Sequence, residues 1–86
     1  MDKFLKKKLE TKIQETILQK NEVKKLCSIT NIGDSKSFVL GIMVGRLFNS
    51  FYYQSKKILG REPTEFELVE FIAMIESKRS DFENLG

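Results

Sequence analysis

The sequence predicts an all-α protein, a small bundle of three helices that becomes four if the first helix is broken. Apolar residues recur three and four positions apart along most of the chain, which is the spacing that places side chains on one face of a helix. The single proline, Pro63, lies just after Gly60 and marks a turn between two such stretches. With 86 residues, the chain has the length of one domain, residues 1–86.

The first predicted helix covers residues 2–27. Leu5, Leu9, Ile13 and Ile17 recur at intervals of four, and most of the other positions are Lys, Glu, Gln and Thr. This pattern is typical of an amphipathic helix with a narrow apolar face. If the helix is broken, Asn21 is the expected place, because its side chain competes with the helix for backbone hydrogen bonds.

The second predicted helix, residues 35–59, is the long apolar centre of the bundle. Asp34 is expected to cap its first turn, and Gly60 to end it in a left-handed conformation. Apolar residues lie on nearly every side, so the helix should be covered on at least two sides. They are Phe38, Val39, Leu40, Ile42, Met43, Val44, Leu47, Phe48, Phe51, Tyr52 and Tyr53.

This central helix is not predicted to span a membrane. A spanning helix needs about 20 predominantly apolar residues. The apolar run that starts at Phe38 is interrupted by Arg46 and then by Asn49 and Ser50. Burial in a bundle or a dimer is therefore the favoured interpretation.

The third predicted helix covers residues 65–79 and follows a tight turn. Thr64 and Glu67 have the spacing of a capping box, in which each side chain accepts a hydrogen bond from the other residue's backbone amide. The expected inner stripe is Leu68, Val69, Ile72 and Ile75.

The stretch LGREPTEFEL, residues 59–68, resembles the helix-turn-helix connections of bacterial sigma factors. The shared residues are mostly those that end one helix and cap the next. The resemblance is confined to this connection, and no DNA-contacting residue is carried over from it.

Charge is unevenly distributed along the chain. The formal net charge is +3, but residues 1–30 carry eight Lys against four acids, whereas residues 61–86 carry three cations against seven acids. The basic front and the acidic rear are expected to attract each other, within one subunit or head to tail between subunits. The acidic segment also weakens the attraction of the whole chain to phosphate.

The residue types that most catalytic and metal sites need are scarce. The chain has one Cys and no His, which excludes an internal disulfide, a zinc site and the usual acid–base residue at neutral pH. Cys27 has no histidine to activate it and is expected to be a small buried hydrophobe. We therefore expect a protein that is not an enzyme and that needs no metal or cofactor.

Ser37, Gly41 and Gly45 form a row of small residues on one face of the central helix. Such a row lets a second backbone approach closely, either helix 1 or 3 of the same chain or the same helix of a second subunit. Because the apolar faces of helices 2 and 3 exceed what one amphipathic helix can cover, we predict a homodimer. The predicted interface residues are Gly41, Gly45, Phe48, Phe51 and Tyr52.

A basic surface on helices 1 and 2 is the alternative functional feature. Its cations would bind phosphate, and an exposed tyrosine would stack on a base. The residues expected to contact nucleic acid are Lys6, Lys7, Lys8, Arg46, Tyr53, Lys56 and Lys57.

Two functions remain open from the sequence. The favoured one is a non-catalytic helical protein-interaction or adaptor module that acts as a homo-oligomer, with a further protein partner that the sequence does not identify. The alternative is nucleic-acid binding through the basic surface. No apolar stretch and cleavage site follow the basic start of the chain, so a cytoplasmic location is expected.

Overall fold

The computed structural model describes residues 1–29 and 36–84, and in this part of the chain the fold is all-α. The helices are α1 (Lys3–Leu18), α2 (Lys20–Ile29), α3 (Lys36–Leu59), α4 (Glu65–Glu76) and α5 (Arg79–Glu83). The segment that precedes α3, with the predicted Asp34 cap, lies outside the described residues. No helix in the described part is long and apolar enough to cross a bilayer.

α1 begins with a side-chain cap and ends at Leu18, with Gln19 as its C-cap. The Asp2 carboxylate accepts a hydrogen bond from the Leu5 amide at 2.9 Å, which satisfies one of the free amides of the first turn. The interruption falls at Gln19 rather than at Asn21. The buried four-residue series ends at Ile17, because the next position in it is the polar Asn21.

The segment α4–α5 runs antiparallel to α3. Phe71 of α4 stacks on Phe51, in the second half of α3. Further along the chain, Phe82 of α5 lines a cavity with Leu40, near the start of α3. From α4 to α5, the chain therefore contacts positions progressively closer to the start of α3.

The same segment runs parallel to α1. Glu70 lies 3.0 Å from the amino nitrogen of the first residue. Beyond α1, the Lys20 ammonium donates to the Asp81 carbonyl at 2.8 Å. The helices α1, α3 and α4 thus lie side by side, with α3 antiparallel to the other two.

The turn between α3 and α4 has the predicted chemistry. Gly60 has a φ of +70°, the left-handed conformation that ends a helix and that glycine adopts without steric cost. The capping box of Thr64 and Glu67 is confirmed, with hydrogen bonds of 2.8 and 3.2 Å. This turn fixes where α4 begins.

The core lies between the helices and is almost wholly apolar. α1 contributes the predicted four-residue series, and α3 contributes one residue per turn from Val39 onward. Buried apolar residues are Leu5, Leu9, Ile13, Ile17, Val23, Cys27, Val39, Met43, Leu47, Phe51, Phe71 and Phe82. Three polar residues, Gln54, Ser55 and Glu67, are also buried in the described chain, and of their side chains the Ser55 hydroxyl has no hydrogen-bond partner.

α4 differs from its prediction in orientation and length. Phe71 is its fully buried apolar residue, whereas Val69 and Ile72, both predicted to face the core, are exposed. α4 ends at Glu76, and the chain resumes as α5 at Arg79. The apolar residues of α4 occur on nearly all sides, so their spacing did not distinguish the inner face from the outer one.

Candidate interaction surfaces

Three aromatic rings, those of Phe48, Phe51 and Phe71, pack together between α3 and α4. The Phe51 and Phe71 rings stack with centroids 4.5 Å apart, and Phe48 meets Phe71 edge-on at 5.8 Å. Phe51 is fully buried within the chain. It was predicted at the dimer interface, but in the folded chain it supports that region from inside and cannot touch a partner.

The outer face of α3 carries the predicted glycines. We call Phe38, Gly41, Gly45 and Tyr52 the glycine face, because they lie on the side of α3 opposite its buried residues. Phe38 and Tyr52, toward its two ends, are 40% and 43% exposed. Phe48, also predicted at the interface, is half-buried beside this face.

The two glycines leave open space above the helix. A Cβ atom added at Gly41 or at Gly45 would have no described atom within 4 Å outside its own stretch of helix. No helix in the described part of the same chain therefore packs against the row of Gly41 and Gly45. Packing of α3 from a second subunit on this row stays a prediction.

A second apolar surface lies on the outside of α4. We call Phe66, Val69, Ile72 and Ala73 the α4 stripe. All four are exposed, and Phe66, at 84%, is the most exposed large hydrophobic residue in the described part. The sequence signal that could have revealed the stripe is its spacing of three and four residues, because Phe66, Val69 and Ala73 share one helical face.

The predicted nucleic-acid contacts are distributed over α1 and α3. Arg46 lines a polar groove of about 340 Å³ between α1 and α3, where it lies 3.4 Å from the Gln19 side chain. Lys6 instead lines a cavity between α1 and α4. Lys7 and Lys8 are exposed on α1. Lys6, Lys7 and Lys8 therefore lie on different sides of α1.

The remaining predicted contacts lie in the second half of α3. Tyr53 is exposed, and the Lys57 ammonium lies 5.9 Å from the centre of its ring, within the range of a cation–π interaction. Lys56 lies 3.6 Å from a Glu62 carboxylate oxygen, an exposed pair that contributes little stability.

The α3–α4 turn contains the most perturbed carboxylate of the described chain. Arg61 donates to Glu67 at 2.8 Å, and the Thr64 backbone amide donates to the same oxygen, also at 2.8 Å. These hydrogen bonds, with that of Arg61 the larger contribution, lower the pKa of Glu67 to about 2. This arrangement holds the turn together, so the shifted pKa has a structural cause.

Clusters of metal-ligating side chains are absent from the described residues. No group of three or more His, Cys, Asp or Glu side chains in this part could hold a metal ion. Cys27 is buried, which agrees with its expected role as a small hydrophobe. The expectation that the protein is not an enzyme stays a prediction.

Comparisons with protein-family models, with curated proteins and with solved structures find no match for this chain. The all-α fold and the geometry of the exposed surfaces therefore carry the functional argument.

Proposed function

We propose that this protein is a non-catalytic helical interaction module that acts as a homodimer through the glycine face of α3. The carrying observation is the open space above Gly41 and Gly45. Each glycine inside a helix costs about 1 kcal/mol relative to alanine, and no packing within the described chain offsets that cost. Close approach of a second helix backbone would offset it.

The flanking side chains suit a helix crossing. Phe38 and Tyr52 lie 14 positions apart, which is about 21 Å along a helix. They would pack on either side of the point where two glycine rows meet, and the half-buried Phe48 would extend the contact. A two-fold dimer uses the same patch on both subunits, so one self-complementary face suffices.

The test is the molar mass of the purified protein by sedimentation, over a range of concentrations. At high salt the wild-type chain is expected to dimerise, and Gly41→Leu or Gly45→Leu is expected to remove this glycine-face dimer, because a bulky side chain separates the two backbones. Lys57→Leu is the matched control, since it places the same residue on the same helix away from the glycine face.

Two results would contradict the dimer. One is a wild-type chain that stays monomeric at every concentration. The other is a dimer whose dissociation constant is unchanged by leucine at either glycine. Circular dichroism of each variant checks that the helices remain folded.

The alternative function is nucleic-acid binding, and one observation favours it. Tyr53 is exposed beneath the Lys57 ammonium, so a stacking ring and a cation occur together. Fluorescence anisotropy of generic RNA and duplex DNA, at low and physiological salt, tests it. Salt-sensitive binding that is lost on Lys57→Gln or Arg46→Gln would establish this function, because neutralised phosphates release counterions. No binding at low salt would eliminate it.

A further inference from the structure

The outside of α4 combines exposed apolar side chains with one sign of charge. The α4 stripe has Phe66 at its start, and α4 itself contains four Glu residues and no Lys or Arg. Glu65 and Glu76 are exposed on the same side of the helix as Val69. The stripe is therefore an apolar surface with an acidic border.

Cations of the same segment do not cancel this border. Arg61 is held by Glu67 on the other side of α4, at 2.8 Å. Arg79 lies 3.6 Å from Glu76, but both side chains are more than half exposed, so the pair is weak. Glu65 forms no ion pair with any residue in the described ranges.

The outer face of α1 has the opposite character. Phe4 is 74% exposed, and Lys3, Lys7 and Lys8 are exposed around it. None of these three lysines forms an ion pair within the described part of the chain. We call Lys3, Phe4, Lys7 and Lys8 the α1 basic patch.

These two surfaces do not meet within one chain. α1 and α4 lie side by side, yet Phe4 and Phe66 both remain largely exposed, because their helices direct them away from the shared core. An apolar residue ringed by lysines and an apolar stripe bordered by glutamates are complementary in both hydrophobicity and charge. The same chain supplies both halves of the contact.

We infer that the α1 basic patch of one copy docks on the α4 stripe of another, with Phe4 against Phe66 and Val69 and with Lys7 and Lys8 beside Glu65 and Glu76. This α1–α4 contact rests on the proposed function in one respect, because the contact and the glycine-face dimer both require self-association. The α1–α4 contact involves neither Gly41 nor Gly45. Each copy offers both surfaces, so two copies pair reciprocally or further copies add head to tail.

Salt separates this contact from the glycine-face dimer. The paired charges lie at a protein surface, where the screening length is about 8 Å at physiological ionic strength. Association through α1 and α4 is therefore expected to weaken as salt rises. The glycine face has no charged member, and the exposed Lys56 lies one turn beyond Tyr52 on the same side of α3. Because two copies carry the same charge there, glycine-face association should not weaken as salt rises.

A charge exchange tests the inference in a Gly45→Leu background, which removes the glycine-face dimer. One variant carries Lys7→Glu and Lys8→Glu, and the other carries Glu65→Lys and Glu76→Lys. Each alone is expected to lose association by about tenfold or more, because like charges then face each other. Mixing the two should restore it, since every facing pair is again opposite in sign.

Phe66→Ser tests the apolar part of the contact. It should weaken association in the same background, whereas Tyr53→Ser, at another exposed aromatic residue, should not. The inference is overturned if the charge-reversed variants associate as the Gly45→Leu chain does, if their mixture does not recover, or if that chain does not associate at low salt. Sedimentation of the wild-type chain against the Gly45→Leu chain reports separately on the glycine face.

Discussion

At the scale of single residues, Ser55 is a polar side chain in an apolar environment. Its side chain is fully buried in α3, and its hydroxyl has no hydrogen-bond partner. A buried polar group without a partner costs about 1–3 kcal/mol of stability. Nothing in the sequence marks this position as buried, because serine is common on the exposed faces of helices.

Ser55→Ala is expected to stabilise the protein. Removing the unpaired hydroxyl should raise the free energy of unfolding by about 1 kcal/mol beyond the helix-propensity gain. Ser50→Ala, in the same helix and only half-buried, measures that gain alone. Urea denaturation of both variants gives the difference, and equal stabilisation would mean that Ser55 is hydrogen-bonded in solution.

Glu67 gives the stability of the protein a pH dependence with a definite sign. Its pKa falls from 4.5 to about 2 on folding, so the folded state favours the ionised carboxylate. The stabilisation is present above pH 4.5 and is lost as the pH falls toward 2.

Glu67→Gln should reduce this acid sensitivity. The amide oxygen can still accept the Thr64 hydrogen bond, but the ion pair with Arg61 is lost. The two proteins should differ most in unfolding free energy near neutral pH and converge near pH 2. Chemical denaturation at several pH values measures this, and a constant difference across the range would contradict it.

At the scale of helices, α4 shows how tertiary packing chooses a face that the sequence leaves undecided. Its inner side carries Phe71, stacked on Phe51 at 4.5 Å, and its outer side carries Phe66. Phe71 and Phe66 are the same residue type in one helix, so hydrophobicity alone does not predict which of them is buried.

Replacing each of these phenylalanines by alanine tests the observed orientation of α4. Phe71→Ala should cost about 3–5 kcal/mol, because it leaves a cavity against the aromatic stack. Phe66→Ala should change monomer stability by less than about 0.5 kcal/mol. Thermal denaturation at low protein concentration compares them, and a similar loss for both would mean that α4 is rotated.

Helix boundaries followed the sequence most closely where local chemistry defines them. Gly60 ends α3, and the capping box at Thr64 precedes α4. The interruption after α1 was less predictable, and it falls at Gln19 rather than Asn21. A cap is decided by a few neighbouring residues, whereas a mid-helix break depends on what the helix packs against.

At the scale of the whole molecule, the proposed self-association rests on two exposed apolar surfaces. The glycine face and the α4 stripe lie on different helices, and the described chain covers neither. A small domain buries a modest fraction of its surface and gains stability by adding interfaces.

The melting temperature should therefore depend on protein concentration. Association stabilises the folded state by mass action, so dilution should lower the melting temperature of the wild-type chain. A chain carrying both Gly45→Leu and Phe66→Ser should show no such dependence. Calorimetry over a wide concentration range tests this, and a concentration-independent wild-type value would contradict self-association.

By itself, the sequence determined that the protein is all-α, that α1 presents Leu5, Leu9, Ile13 and Ile17 to the core, and how the α3–α4 turn is built. These features depend on periodicity and capping, which act between residues close in the chain. Only the tertiary structure decided that Phe51 is interior, that no described residue packs over Gly41 and Gly45, and that Val69 and Ile72 point outward. Those outcomes depend on which helices fill the space around α3 and α4, because an apolar side chain is buried only where another element covers it.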